Sequence, residues 1–129
     1  MNNFDGKNFL VLAEKILKNS QFPSEASYRT SISRAYYAVF LTAREYIKVK
    51  NPTNWQNIIT RGGNVHKKVK NYYASRFGNN GKRITNKLNS LRKKRNNADY
   101  EISTVITKSQ AEQACLDAKT AINLIGQLR

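Results

Sequence analysis

ITNKLNSLRKKRNNADYEI, residues Ile84 to Ile102, decides the fold class. Its apolar positions are Ile84, Leu88, Leu91, Ala98 and Ile102, and Arg95 fills the remaining place in the series. The steps are 4, 3, 4, 3 and 4, the repeat of one helix face. A helix running from about Lys82 to Ala98 follows. Arg95 lies in register with its core-facing stripe, while Lys93 and Lys94 point elsewhere. A guanidinium on a packed face has to be paired, because an unpaired buried charge costs several kcal/mol.

The same 3-and-4 spacing recurs outward in both directions. Upstream, it predicts a helix over Phe4–Lys18, a break from Asn19 to Pro23, and a long helix over Ser24–Val49 opened by Pro23 and Ser24. The long helix has a wide stripe: Tyr28, Ile32, Ala35, Tyr36, Val39, Phe40, Ala43 and Ile47. Asn51 to Gly63 reads as a connection whose Trp55, Ile58 and Ile59 cap the core or touch a partner. A further helix over Asn64–Phe77 and a Gly78–Gly81 turn lead into the quoted stretch. Downstream, Thr107-Lys108-Ser109-Gln110 has the form of a capping box and opens a last helix to Leu128. No alternating strand of useful length is present, and neither a repeat nor a second domain. The class is all-α, in one domain over residues 1–129.

Charge is the strongest compositional signal. The 129 residues carry 23 Lys and Arg against 8 Asp and Glu, a net charge of +15. An excess of that size attracts polyanions, nucleic acid before anionic membrane or an acidic protein. It is also localised, since no acid occurs from Tyr46 to Ala98. Soluble helices ordinarily mix both signs, because like charges one turn apart repel. The window therefore reads as a phosphate-tracking surface, with Lys67, Lys68, Lys70, Arg92, Lys93 and Lys94 as candidate RNA contacts. The plainer alternative is a solvated basic face. Trp55, Tyr72 and Tyr73 in the same window either stack on bases or belong to the core. The single cysteine, Cys115, has no metal-ligand spacing around it and reads as a buried small hydrophobe. No run approaches membrane-spanning length, and the N-terminus lacks a basic leader pattern, so a cytoplasmic protein is expected.

Around Arg95 the residue types converge. Asp99 is one turn on, the natural ion-pair partner, and a pair there would hold the helix end against its neighbours. Asn96, Tyr100 and Arg92 lie within about one turn as well, so the same group could hold a phosphate. Spacing alone leaves both readings open.

Three segments, SRAYYAVF (Ser33–Phe40), NVHKKVKNYYASRF (Asn64–Phe77) and LNSLRKKRNNADYEI (Leu88–Ile102), occur in order. Together they resemble the HEPN superfamily (higher eukaryotes and prokaryotes nucleotide-binding), in particular its small stand-alone prokaryotic branch with an Arg-Asn-x-Ala-Asp-Tyr motif. The resemblance implies a four-to-five-helix up-and-down bundle. It also implies a homodimer whose motif helices face a shared cleft. It implies a metal-independent endoribonuclease, with no cofactor, acting as a toxin in toxin–antitoxin or phage-defence systems beside a nucleotidyltransferase antitoxin. Arg95 and Asn96 match the first two positions of the family's Arg-polar-spacer-His motif.

The histidine position holds Tyr100 instead, with Asp99 beside it, and the chain's one histidine is His66. Cleavage without metal needs a base for the ribose 2′-hydroxyl and an acid for the leaving oxygen, work suited to imidazole. Candidate catalytic residues are therefore Arg95 and Asn96 on the phosphate, with Asp99, Tyr100 or His66 moving protons. The alternative is a non-catalytic module that binds RNA or nucleotide and acts with a nucleotidyltransferase partner.

Overall fold

The computed structural model describes residues 4–19 and 21–128. Ser20, inside the predicted break, and the first three residues lie outside that description. Among the described residues there are six helices and no strand. They are α1 (Asn8–Lys18), α2 (Ser24–Lys50), α3 (Pro52–Thr60), α4 (Val65–Ala74), α5 (Gly78–Tyr100) and α6 (Lys108–Gly126). The helical class stands; the count exceeds the four to five expected.

The additional helix is α3. Pro52 occupies its first turn, where a missing N–H costs nothing and a fixed φ favours helix entry. Trp55 and Ile58, three residues apart, are its buried face. Two smaller corrections have local causes. At the N-terminus, the Asp5 carboxylate accepts from the Lys7 amide at 3.0 Å, making a turn where helix was expected. At Gly78–Gly81 the reverse holds, because the chain reverses at Phe77 and Gly78, whose φ values are 66° and 56°, and is helical from Gly78 onward. Gly81 is there for contact: a Cβ on it would run into the carbonyl oxygens of Tyr73 and Arg76, where α5 crosses the end of α4.

α2 is the central helix and packs against α1, α5 and α6; α4 lies between α3 and α5. The core is the set of facing stripes, with Ile32, Val39 and Ile47 of α2 and Ile84, Leu88 and Leu91 of α5 fully buried. The small faces of α2 and α6 (Ala35, Ala38, Ala43, Ala114, Ala118, Ala121) are also buried and let these helices approach closely. Cys115 is buried, its Sγ 3.5 Å from Ser31 Oγ. Trp55, Tyr72 and Tyr73 are core residues, and the Tyr73 hydroxyl donates to the Ala43 carbonyl at 2.8 Å. The capping box forms in both directions, Gln110 amide to Thr107 Oγ1 at 3.2 Å and Thr107 amide to Gln110 Oε1 at 2.8 Å.

The end of α5 is fastened by a residue of α2. Arg29 donates to the carbonyls of Asn97 (3.2 Å), Ala98 (2.9 Å) and Glu101 (3.2 Å), and also to that of Thr104. They belong to the C-terminus of α5 and the loop after it: Asn97 and Glu101 also accept from the Glu101 and Thr104 amides, at 3.1 and 3.2 Å, while the Ala98 and Thr104 carbonyls accept from Arg29 without a backbone donor. A guanidinium there also meets the negative end of the helix dipole.

Candidate nucleic-acid interface

The side chains singled out on α5 meet α2 at Ser33–Tyr37. Arg95 sits in the core stripe as its spacing required, between buried Leu91 and buried Ala98, with its side chain 18% exposed. Ile102, the next place in the series, falls past the helix end and is 91% exposed. The Arg95 guanidinium is caged. Nε donates to Asp99 Oδ2 at 3.0 Å and Nη1 to Asn96 Oδ1 at 3.0 Å. Nη2 donates to the hydroxyls of Tyr37 at 3.0 Å and Tyr100 at 3.4 Å. The rings of Tyr37 and Tyr100 lie 5.4 Å from its carbon and that of Tyr36 lies at 5.8 Å, so the cation is also held against aromatic faces.

Asp99 is shared. Its Oδ2 accepts from Ser33 Oγ at 3.3 Å, and that hydroxyl accepts from Arg34 Nη2 at 3.2 Å. Arg34 is in turn stacked between Phe9 and Tyr37, 5.0 and 4.9 Å from their centres. The Arg95–Asp99 ion pair anticipated from the one-turn spacing is therefore present. Asn96, Arg95, Asp99 and Tyr100 come together on one surface, with Asn96 and Tyr100 exposed.

His66 is placed differently. It is buried on α4, stacked on Phe40 at 5.6 Å between ring centres, with Nδ1 2.7 Å from the Tyr36 hydroxyl. Its Nε2 is buried without a hydrogen-bond partner, so neither nitrogen faces solvent. Burial, with the Arg92, Lys70 and Arg95 charges adding to it, pushes the imidazole down to about 4. Burial likewise pushes the Tyr36 phenol up to about 12, against the opposing pull of Arg92 and Arg95. At neutral pH the pair is a neutral imidazole on a neutral phenol, supporting the ring beneath Arg95.

The six candidate RNA contacts divide. Lys67 and Lys93 are exposed, and Arg92 and Lys70 are half-buried. Lys68 is turned inward onto the end of α3, donating to the Ile58 carbonyl at 3.1 Å and to that of Gly62. Lys94, expected to be solvated, instead pairs with Asp117 of α6 at 3.1 Å, beside Lys87 at 2.9 Å. Burial would raise the Asp117 carboxyl, but hydrogen bonds from Lys87, Lys94 and Gln113 outweigh it and hold it below the ordinary carboxylate value. Along the outer side of α5, Asn89, Arg92, Lys93, Asn96 and Asn97 line an open groove of about 720 Å³ that ends at the Arg95 cage.

Five participants were not singled out from sequence: Arg29, Ser33, Arg34, Tyr36 and Tyr37. Ser33, Tyr36 and Tyr37 stand three and four residues apart in SRAYYAVF, a spacing that could have marked them as one face turned toward α5. Arg29 gave no local signal, because its acceptors are backbone carbonyls 68 to 75 residues away.

The HEPN domain family matches this chain over residues 7–128. An uncharacterized protein of Methanocaldococcus jannaschii is 29% identical over 124 residues, covering 88% of this chain and 70% of that protein. No solved structure matches. Among the described residues no helix is long and apolar enough to cross a membrane. With the family match spanning both motif helices and the cage between them, the chain belongs to the HEPN domain family.

Proposed function

We propose that the protein is a single-domain, RNA-targeting HEPN protein that engages the RNA backbone along α5 and holds one phosphate at Arg95 and Asn96. The observation that carries this reading is the caged guanidinium at the end of a basic groove within an acid-free window. Arg95 has five N–H groups and four are engaged, so its plane is pre-oriented while one Nη1 donor remains. A phosphate meets that pre-oriented donor at lower entropic cost than it would a free lysine. Family membership supports the rest of the reading: a cytoplasmic homodimer, and a toxin–antitoxin or phage-defence pair with a nucleotidyltransferase antitoxin. The exposure of Tyr100 (66%), Ile102 (91%) and Val105 (70%) beside the cage supports a contact surface for the second copy there.

A second reading, metal-independent endoribonuclease, is favoured by one observation. The Asp99 carboxylate and the Tyr100 phenol both contact the Arg95 guanidinium, so a base and a proton donor flank the phosphate position. His66 does not supply this chemistry, being buried and neutral. Incubation of purified protein with end-labelled RNA in EDTA, alongside a salt titration of binding, separates the two. Salt-steep binding without product, lost in folded Arg95→Ala, is the expected result. Cleavage by wild type that disappears in Asp99→Asn or Tyr100→Phe would establish the second reading. Unchanged RNA binding by Arg95→Ala would remove both.

A further inference from the structure

Resting on the RNA-binding reading above, we infer that the cleft between α3 and α4 is a second RNA contact, built to take one single-stranded nucleotide. The cleft measures about 290 Å³ and is open to solvent. Asn54 and Asn57 of α3, with Arg61 just past its end, form one wall; Asn71 and Tyr72 of α4, with Arg76 two residues past its end, form the other. Arg76 lies over Tyr72, its guanidinium carbon 4.2 Å from the ring centre, the shortest such approach among the described residues. Tyr72 is buried beneath the guanidinium, and Arg76 itself is exposed.

The chemistry of the two walls is matched to a base. A guanidinium plane backed by an aromatic ring is a stacking platform that accepts any base. Carboxamides carry a donor and an acceptor side by side, the complement of a base edge. Here they come from both walls and are not used inside the protein: the described side-chain hydrogen bonds that touch these helices involve Thr60, Asn64, Lys68, Tyr73, Ser75 and Thr85 instead, with His66 paired to Tyr36. Neither Arg61 nor Arg76 is neutralised. The ion pairs among the described residues are Arg29–Glu25, Lys87–Asp117, Lys94–Asp117 and Arg95–Asp99. Lys68 fixes the geometry by tying the end of α3 to α4. A cleft of this size admits an unstacked nucleotide and excludes a duplex. Because α4 packs on α5 as well as α3, a strand leaving the α5 groove can cross α4 at Lys67 and Lys70 to reach it.

The test is fluorescence anisotropy on the full chain, with a labelled single-stranded RNA and the same sequence as a duplex, across a salt series. Arg76→Ala, and equally Arg76→Lys, which keeps the charge but not the plane, should weaken single-strand binding about tenfold and leave duplex binding unchanged. Arg61→Ala should make the single-strand salt slope shallower by about 0.7. Both arginines are exposed, so circular dichroism should show wild-type folding. On wild type, 4-thiouridine RNA should crosslink to peptides covering residues 54–61 or 71–76. If wild type binds and Arg95→Ala weakens it, yet the Arg61 and Arg76 variants match wild type, this inference falls and the RNA reading stands. Equal losses on both RNAs would reduce the cleft to a general basic patch and overturn the single-nucleotide assignment. If wild type binds neither RNA, both readings fail together.

Discussion

Replacing Arg29 with alanine should damage the Arg95 cage, none of whose side chains it bonds. The side chain is 15% exposed and joins α2 to the last turn of α5 and the loop beyond it. Its loss removes bonds to the carbonyls of Asn97, Ala98, Glu101 and Thr104, of which Asn97 and Glu101 keep a backbone amide donor. Three of these carbonyls belong to exposed residues that water can reach, so a full desolvation penalty for each is excessive. Each lost bond from a charged donor is then worth about 0.5–1 kcal/mol net. The guanidinium at the helix C-terminus adds about 0.5 kcal/mol. The total is about 3 kcal/mol, a large share of the roughly 5–15 kcal/mol that stabilises a domain. For a chain of this size that lowers Tm by roughly 10 °C. Thermal unfolding followed by circular dichroism measures it, with two companion variants. Arg29→Lys should recover only part of the loss, because one ammonium cannot span four carbonyls. Glu25→Ala, which removes only the surface partner at 3.2 Å, should change stability by less than about 0.5 kcal/mol. RNA affinity should fall with Arg29→Ala even where the protein is folded, because Asn96, Asp99 and Tyr100 ride on the turn it fastens. Melting of Arg29→Ala within about 2 °C of wild type, or equal harm from Glu25→Ala, would refute the fastening role of Arg29.

Three other outcomes follow from buried groups. His66 is the one histidine of the chain, so its NMR signal is unambiguous, and it should titrate near 4 in the folded protein; a midpoint near 6.5 would contradict its burial. Since the folded pKa is depressed, unfolded chains take up the proton first, and about 3 kcal/mol of stability present above pH 6.5 should be lost as pH falls toward 4. The Asp117 carboxyl is also depressed, so Asp117→Asn should cost about 1–3 kcal/mol at neutral pH. That gap should close as acid protonates the wild-type carboxylate below its unfolded value, and a gap persisting in acid would mean the lysine bonds are not its source. Gly81→Ala would normally stabilise a helix by about 1 kcal/mol, but here the melt should move down because the new Cβ meets two backbone carbonyls; an upward shift refutes the close approach.

Periodic features were legible in the chain. The α5 stripe, the long α2, the capping box of α6 and the Arg95–Asp99 pair each depend on residues within a turn or two of one another. What escaped was nonlocal or disguised. Pro52 reads as a breaker until it is seen as a first-turn residue, and the polar run around Trp55 and Ile58 conceals α3. Tyr37 completes the Arg95 cage from 58 residues away, and tyrosines in a stripe look like core. His66 sits next to Lys67 and Lys68, which makes it read as surface, yet its own face of α4 turns inward toward Tyr36 and Phe40. Lys68 and Lys94 look like their exposed neighbours in sequence, and only the fold shows one capping α3 and the other bound to Asp117.

That last contact has a mechanical side. Lys87 and Lys94 are seven residues apart, about 10 Å along the axis of α5, and they converge from opposite directions on one carboxylate of α6. If α5 slides lengthwise, one of the two links stretches while the other slackens; if it turns about its axis, both lift away. Asp117 thus works as a locating pin. It sets how far along and at what angle α5 is seated, and so the azimuth at which Arg95, one residue past Lys94, is presented to the tyrosines of α2.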